Sequence, residues 1–124
     1  MLKTITLLFT TLLLTTTFTF GQTFEALQAE FNKGMQGDEK VFETAMKQSE
    51  ELLVKNPKDA EILVLHGSAM LYQSGKAFQT GNFGEGGKLW KKGQTEMDEA
   101  VTIAPENIKV LMTRGTTYLS ASKQ

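Results

Sequence analysis

The sequence predicts an all-α protein of about five helices, antiparallel hairpins stacked as a short solenoid. Three observations carry this. The chain writes one stretch twice: residues 56–71, NPKDAEILVLHGSAML, return 48 positions later as residues 104–119, APENIKVLMTRGTTYL. Pro57, Leu63, Gly67 and Leu71 thereby fall on Pro105, Leu111, Gly115 and Leu119. Self-similarity of this kind marks a stacked helical repeat. Apolar residues also recur at steps of three and four, the period of one helix face. Finally, Pro57 and Pro105 each break a helical pattern and restart it.

Each proline marks a corner. The residue before a proline is driven out of the α region, so a helix ends near Lys55 or Asn56. Asp59 and Asn107 stand where the next helix needs an N-cap, and Glu61 and Glu106 suit the positive end of its dipole. Leu63, Gly67 and Leu71 follow at steps of four, on one stripe. A glycine inside such a stripe costs about 1 kcal/mol against alanine, and is tolerable where a neighbouring helix must come close.

These residues resemble the tetratricopeptide repeat family. Pro105, Leu111, Gly115 and Tyr118 follow its Pro, Leu-Gly, Tyr pattern, and Ala100 matches the small residue near the end of its second helix. The first copy departs from the pattern, with Met70 where tyrosine is usual and Leu52 where alanine is usual. The family period is ~34 residues, so a spacing of 48 implies an insertion between paired helices, placed around residues 72–87. The likeness spans roughly residues 45–122. It implies a concave surface lined by first-helix residues: Glu61, Val64, Ser68, Leu71 and Tyr72 in one copy, Lys109, Met112, Thr116, Leu119 and Ser120 in the other.

In chain order, residues 1–21 read as a cleaved signal peptide. Lys3 supplies the positive start, residues 5–20 are apolar or threonine without charge, and Thr19-Phe20-Gly21 offers small residues for cleavage ahead of Gln22. An uncleaved anchor is the alternative, but that stretch falls short of the ~20 residues a spanning helix needs. Residues 22–124 form the helical domain. Phe24, Leu27, Phe31 and Met35 define a first helix, closed by Gly34 or Gly37. Asp38 caps a second, whose inner face carries Val41, Phe42, Ala45, Met46, Ser49, Leu52 and Leu53. The third starts at about Asp59 and ends between Tyr72 and Ala77; it is apolar on more than one side, as a helix between two neighbours should be. Leu89 to Ile103 is the fourth, with Trp90 as a core anchor, and Glu106 to Ser122 the fifth.

Residues 81–88, GNFGEGGK, lack the Gly-Lys-Ser/Thr ending and the preceding strand of a phosphate loop. They fit a flexible connection or a glycine-softened helix start, the latter with Asn82 and Glu85 able to form a capping box.

With 13 basic and 14 acidic residues the net charge is −1, which offers neither the basic footprint of a nucleic-acid binder nor a polybasic membrane surface. There is no cysteine, and the one histidine, His66, reads as a packed, hydrogen-bonded side chain. No metal or cofactor site and no nucleophile–base pair can be assembled from this set, so no catalysis is expected. The last helix should leave Leu111, Met112, Tyr118 and Leu119 uncovered, a strip suited to homo-oligomerisation or a partner helix. The expectation is an exported scaffold, periplasmic or secreted, that binds protein or peptide. The alternatives are a self-associating structural subunit and a small-molecule carrier using Trp90, Tyr72 and Phe83.

Overall fold

The computed structural model describes residues 20–123. They form five helices: α1 (Phe20–Met35), α2 (Glu39–Lys55), α3 (Ala60–Gln79), α4 (Phe83–Ile103) and α5 (Ile108–Ala121). Among the described residues there is no strand. The reading of residues 1–21 as a signal falls almost wholly outside this range.

The two proline corners are built alike. Asn56 and Ala104 each donate a backbone N–H one turn back, to Leu52 and Ala100, both at 2.9 Å. Asp59 N–H reaches Asn56 O at 3.2 Å, and Asn107 N–H reaches Ala104 O at 3.1 Å. The Asp59 and Asn107 side chains accept from Ile62 N–H and Val110 N–H, both at 3.2 Å, satisfying one of the otherwise orphaned donors of each helix start. Asp38 and Asn82 cap α2 and α4 in the same manner. For residues 81–88 this makes a helix start, with the chain turning at Gly81, φ +79°. That positive φ favours glycine.

The helices stack in two layers. α3 touches all four others and packs most extensively on α4, α1 pairs with α2, and α5 rests on α3 and α4. Leu27, Val64, Met97 and Val110, from four helices, are among the most deeply buried side chains. Phe31, Phe42 and Tyr72 carry ring packing across α1, α2 and α3, with centroids 5.6 and 5.2 Å apart.

The expected insertion takes a different form. No loop intervenes between α3 and α4; the extra length extends both, to 20 and 21 residues. The extended hairpin is closed by glycine. A Cβ on Gly67 would meet the Gly93 carbonyl oxygen at 2.7 Å, and one on Gly93 would meet the Gly67 oxygen at 2.6 Å. Towards the tip, Ser74 Oγ donates to the Gly86 carbonyl at 2.7 Å, and Gly86 lies under the Phe78 ring.

Candidate functional site

Three helices that each bury an apolar stripe must leave a furrow where their outer faces diverge. Here it opens between α3 and α5, with the end of α1 and Trp90 of α4 closing its sides. The cavity has a volume of about 550 Å³, a size suited to a few side chains of a bound segment. Leu71, Tyr72, Phe78, Trp90 and Met35 supply apolar walls, while Ser68, Thr116, Thr117 and Ser120 supply hydroxyls. No charged side chain lines it. Ser68 and Thr117 share a hydrogen bond at 2.6 Å, which ties α3 to α5. The Tyr72 hydroxyl donates to the Met35 carbonyl at 3.4 Å.

Of the residues expected to bind a partner, the structure brings Ser68, Leu71, Tyr72, Thr116 and Ser120 together here. It places the others elsewhere. Val64 is fully enclosed in the core, and Met112 and Leu119 are exposed outside the groove. Glu61 and Lys109 are engaged within the chain. Lys109 Nζ lies 3.0 Å from Glu25 and 3.9 Å from Glu61, above the Phe24 ring, and Asn107 Nδ2 donates to Glu61 at 3.1 Å. This cluster pins the N-terminal ends of α1, α3 and α5. The hydrogen bond from Lys109 to Glu25 holds the ammonium above its ordinary value, with desolvation pulling the other way. A raised lysine value means that the pairing persists through neutral pH and is lost only as pH climbs through the alkaline range.

Sequence reasoning missed Met35, Phe78, Trp90 and Thr117 as lining residues. Trp90, read as a core anchor, is half-buried and forms a wall of the groove. It also packs against the core, so the expected anchor and the groove wall are one side chain. Of the aromatic group expected for a carrier, Tyr72 and Trp90 line the groove, whereas Phe83 is exposed outside it and packs on Phe78.

His66 is buried, and its Nδ1 donates to the Glu96 carboxylate of α4. Its Nε2 lies 3.5 Å from Glu50 of α2 without forming a hydrogen bond. The imidazole thus occupies the junction of α2, α3 and α4, a structural place. Replacing it by leucine strands the Glu96 carboxylate, which is 15% exposed. The expected loss is about 1–3 kcal/mol, read as a lower urea midpoint with an unchanged slope. Among the described residues no group of His, Cys, Asp and Glu is placed to hold a metal, and no helix is long and apolar enough to cross a membrane.

Stacked helical hairpins with an uncharged, largely apolar furrow define an all-α protein of the helical-hairpin class. Comparison with known proteins makes this particular. The model of the plant specific mitochondrial import receptor subunit TOM20 family matches residues 38–123, from the cap of α2 to the end of α5, and the chain belongs to that family. No curated protein and no solved structure gives a match. The family corrects the tetratricopeptide resemblance. The Pro, Leu-Gly, Tyr spacing lies on α5, where a Cβ on Gly115 would meet nothing within 4 Å, so the pattern does not by itself mark a repeat of one family. It corrects the exported setting as well. A charge-free run of apolar residues and threonine in a sequence does not specify which compartment receives a chain, so the periplasmic or secreted scaffold gives way to a mitochondrial family. The family's description is that of a receptor subunit, in agreement with a protein that binds proteins and carries out no reaction.

Proposed function

We propose that the helical unit, taken from residue 22 onward, is a receptor module of the mitochondrial import type, and that its groove accepts a helical or extended segment of another protein through apolar side chains. The observation that supports this most directly is the lining. A cavity of about 550 Å³ walled by Leu71, Tyr72, Phe78 and Trp90, with hydroxyls and no charge, discriminates on shape and apolarity and leaves the register adaptable. The membership of an import receptor family supplies the class of partner.

Trp90 is the only tryptophan, so its emission reports on the groove. Amphipathic helical peptides with an apolar face should shift that emission saturably, and scrambled peptides without such a face should not. Ser120 is exposed at the rim, and Ser120→Phe fills the cavity without touching the core. It should weaken binding about tenfold, equivalent to about 1.4 kcal/mol, with helicity unchanged. Equal affinity in the blocked variant would remove the groove as the binding site.

A further inference from the structure

α5 repeats the surface that α3 buries. In the 48-residue register, Ala60, Leu63, Val64, Gly67, Leu71 and Ser74 correspond to Ile108, Leu111, Met112, Gly115, Leu119 and Ser122. The first set is enclosed, and no member of it other than glycine is more than 8% exposed. In the second set Leu111, Met112 and Leu119 are 42%, 63% and 59% exposed. The two glycines make the contrast sharpest. Gly67 is closed by the Gly93 carbonyl, Met97 and Glu96 of α4, whereas a Cβ on Gly115 would meet nothing within 4 Å.

The polar contacts keep the same register. His66 lies between Glu50 behind it and Glu96 on the covering helix. Arg114, its counterpart, holds Asp98, the counterpart of Glu50, through Nε at 3.1 Å and Nη2 at 2.8 Å. Among the described residues none takes the place of Glu96, and Arg114 remains 40% exposed. We propose that the outer face of α5 is a second docking surface, separate from the groove, for a partner protein's helix carrying the chemistry of α4: a small residue opposite Gly115, a carboxylate three residues on to meet Arg114, and apolar residues over Leu111 and Leu119.

Charge decides between this occupant and a second copy of the chain. α5 carries Lys109 and Arg114 and no carboxylate, so a second α5 crossing at Gly115 offers nothing to take the place that Glu96 has beside His66. A carboxylate-bearing helix supplies it.

The probe is a labelled synthetic peptide with the α4 sequence Phe83–Ile103, titrated into the full chain and followed by anisotropy. Saturable binding is expected, weakened about tenfold or more by Gly115→Leu in the chain, by Gly93→Leu in the peptide and by Glu96→Lys in the peptide. Gly115 faces open space, so its variant keeps the fold, which circular dichroism checks. Binding indifferent to Gly115→Leu means that the peptide has displaced the chain's own α4 from α3, and overturns the proposal. So does an absence of binding, or a sedimentation mass showing that the chain pairs with itself and loses that pairing on Gly115→Leu.

Discussion

Gly93→Val is expected to destabilise the fold by about 3 kcal/mol, at the top of the range for overpacking, and Gly93→Ala by somewhat less. Helix propensity alone argues for the opposite sign, since alanine is favoured over glycine by about 1 kcal/mol in a helix interior. Geometry decides. The new Cβ would sit 2.5 Å from Leu71 Cδ1, 2.6 Å from the Gly67 oxygen and 3.1 Å from Met70 Cβ. Leu71 can rotate away, but the Gly67 oxygen belongs to the α3 backbone and moves only if the hairpin opens. Gly115→Ala is the internal control. Its Cβ meets nothing, so the propensity gain stands alone and the variant should be more stable by ~0.5–1 kcal/mol. Thermal melts read both, at about 4–8 °C per kcal/mol for a domain of this size. A gain in stability for Gly93→Ala would mean that α3 and α4 do not cross through these glycines.

Met97→Ala should cost about 2–5 kcal/mol, the range for emptying a fully enclosed site. Met97 has no exposed surface and lies over Gly67, its Cγ 2.9 Å from where a Cβ would stand. That proximity gives the experiment a second reading. Removing Met97 relieves part of the clash that Gly67→Ala creates, so the double variant should lose less than the two singles together. The relief is incomplete, because the Gly93 carbonyl still blocks the same space at 2.7 Å. Strict additivity would show that the two residues do not share one packing site. Both effects belong to the α3–α4 hairpin, which also supplies Leu71, Phe78 and Trp90 to the groove. A variant that loosens the crossing should therefore weaken peptide binding without touching the lining.

The helices were legible because their signals are local. Asp38, Asp59, Asn82 and Asn107 cap helices by reaching backbone donors three residues on. Pro57 and Pro105 act on their immediate neighbours. Residues 81–88 stayed open between a flexible connection and a helix start; α4 begins at Phe83 and not at the expected Leu89, because the Asn82 cap starts the helix through the glycines. The groove was legible in part. Ser68, Leu71, Tyr72, Thr116 and Ser120 were found because the repeat sets which face of α3 and α5 looks the same way. Glu61 and Lys109 misled because a charged side chain on a concave surface looks free until a neighbouring helix is in place. Here Glu25 of α1 takes the charge of Lys109.

The sequence by itself determined five helices, two equivalent corners and the glycine notch on α3. It did not determine the family or the compartment, because a hairpin's spacing and an apolar leader are shared by chains with different destinations. Tertiary structure alone decided that the extra residues lengthen α3 and α4 and that Trp90 walls a groove. Each of these depends on residues far apart in the chain meeting across two layers, and the period of a single helix carries no information about what lies opposite it.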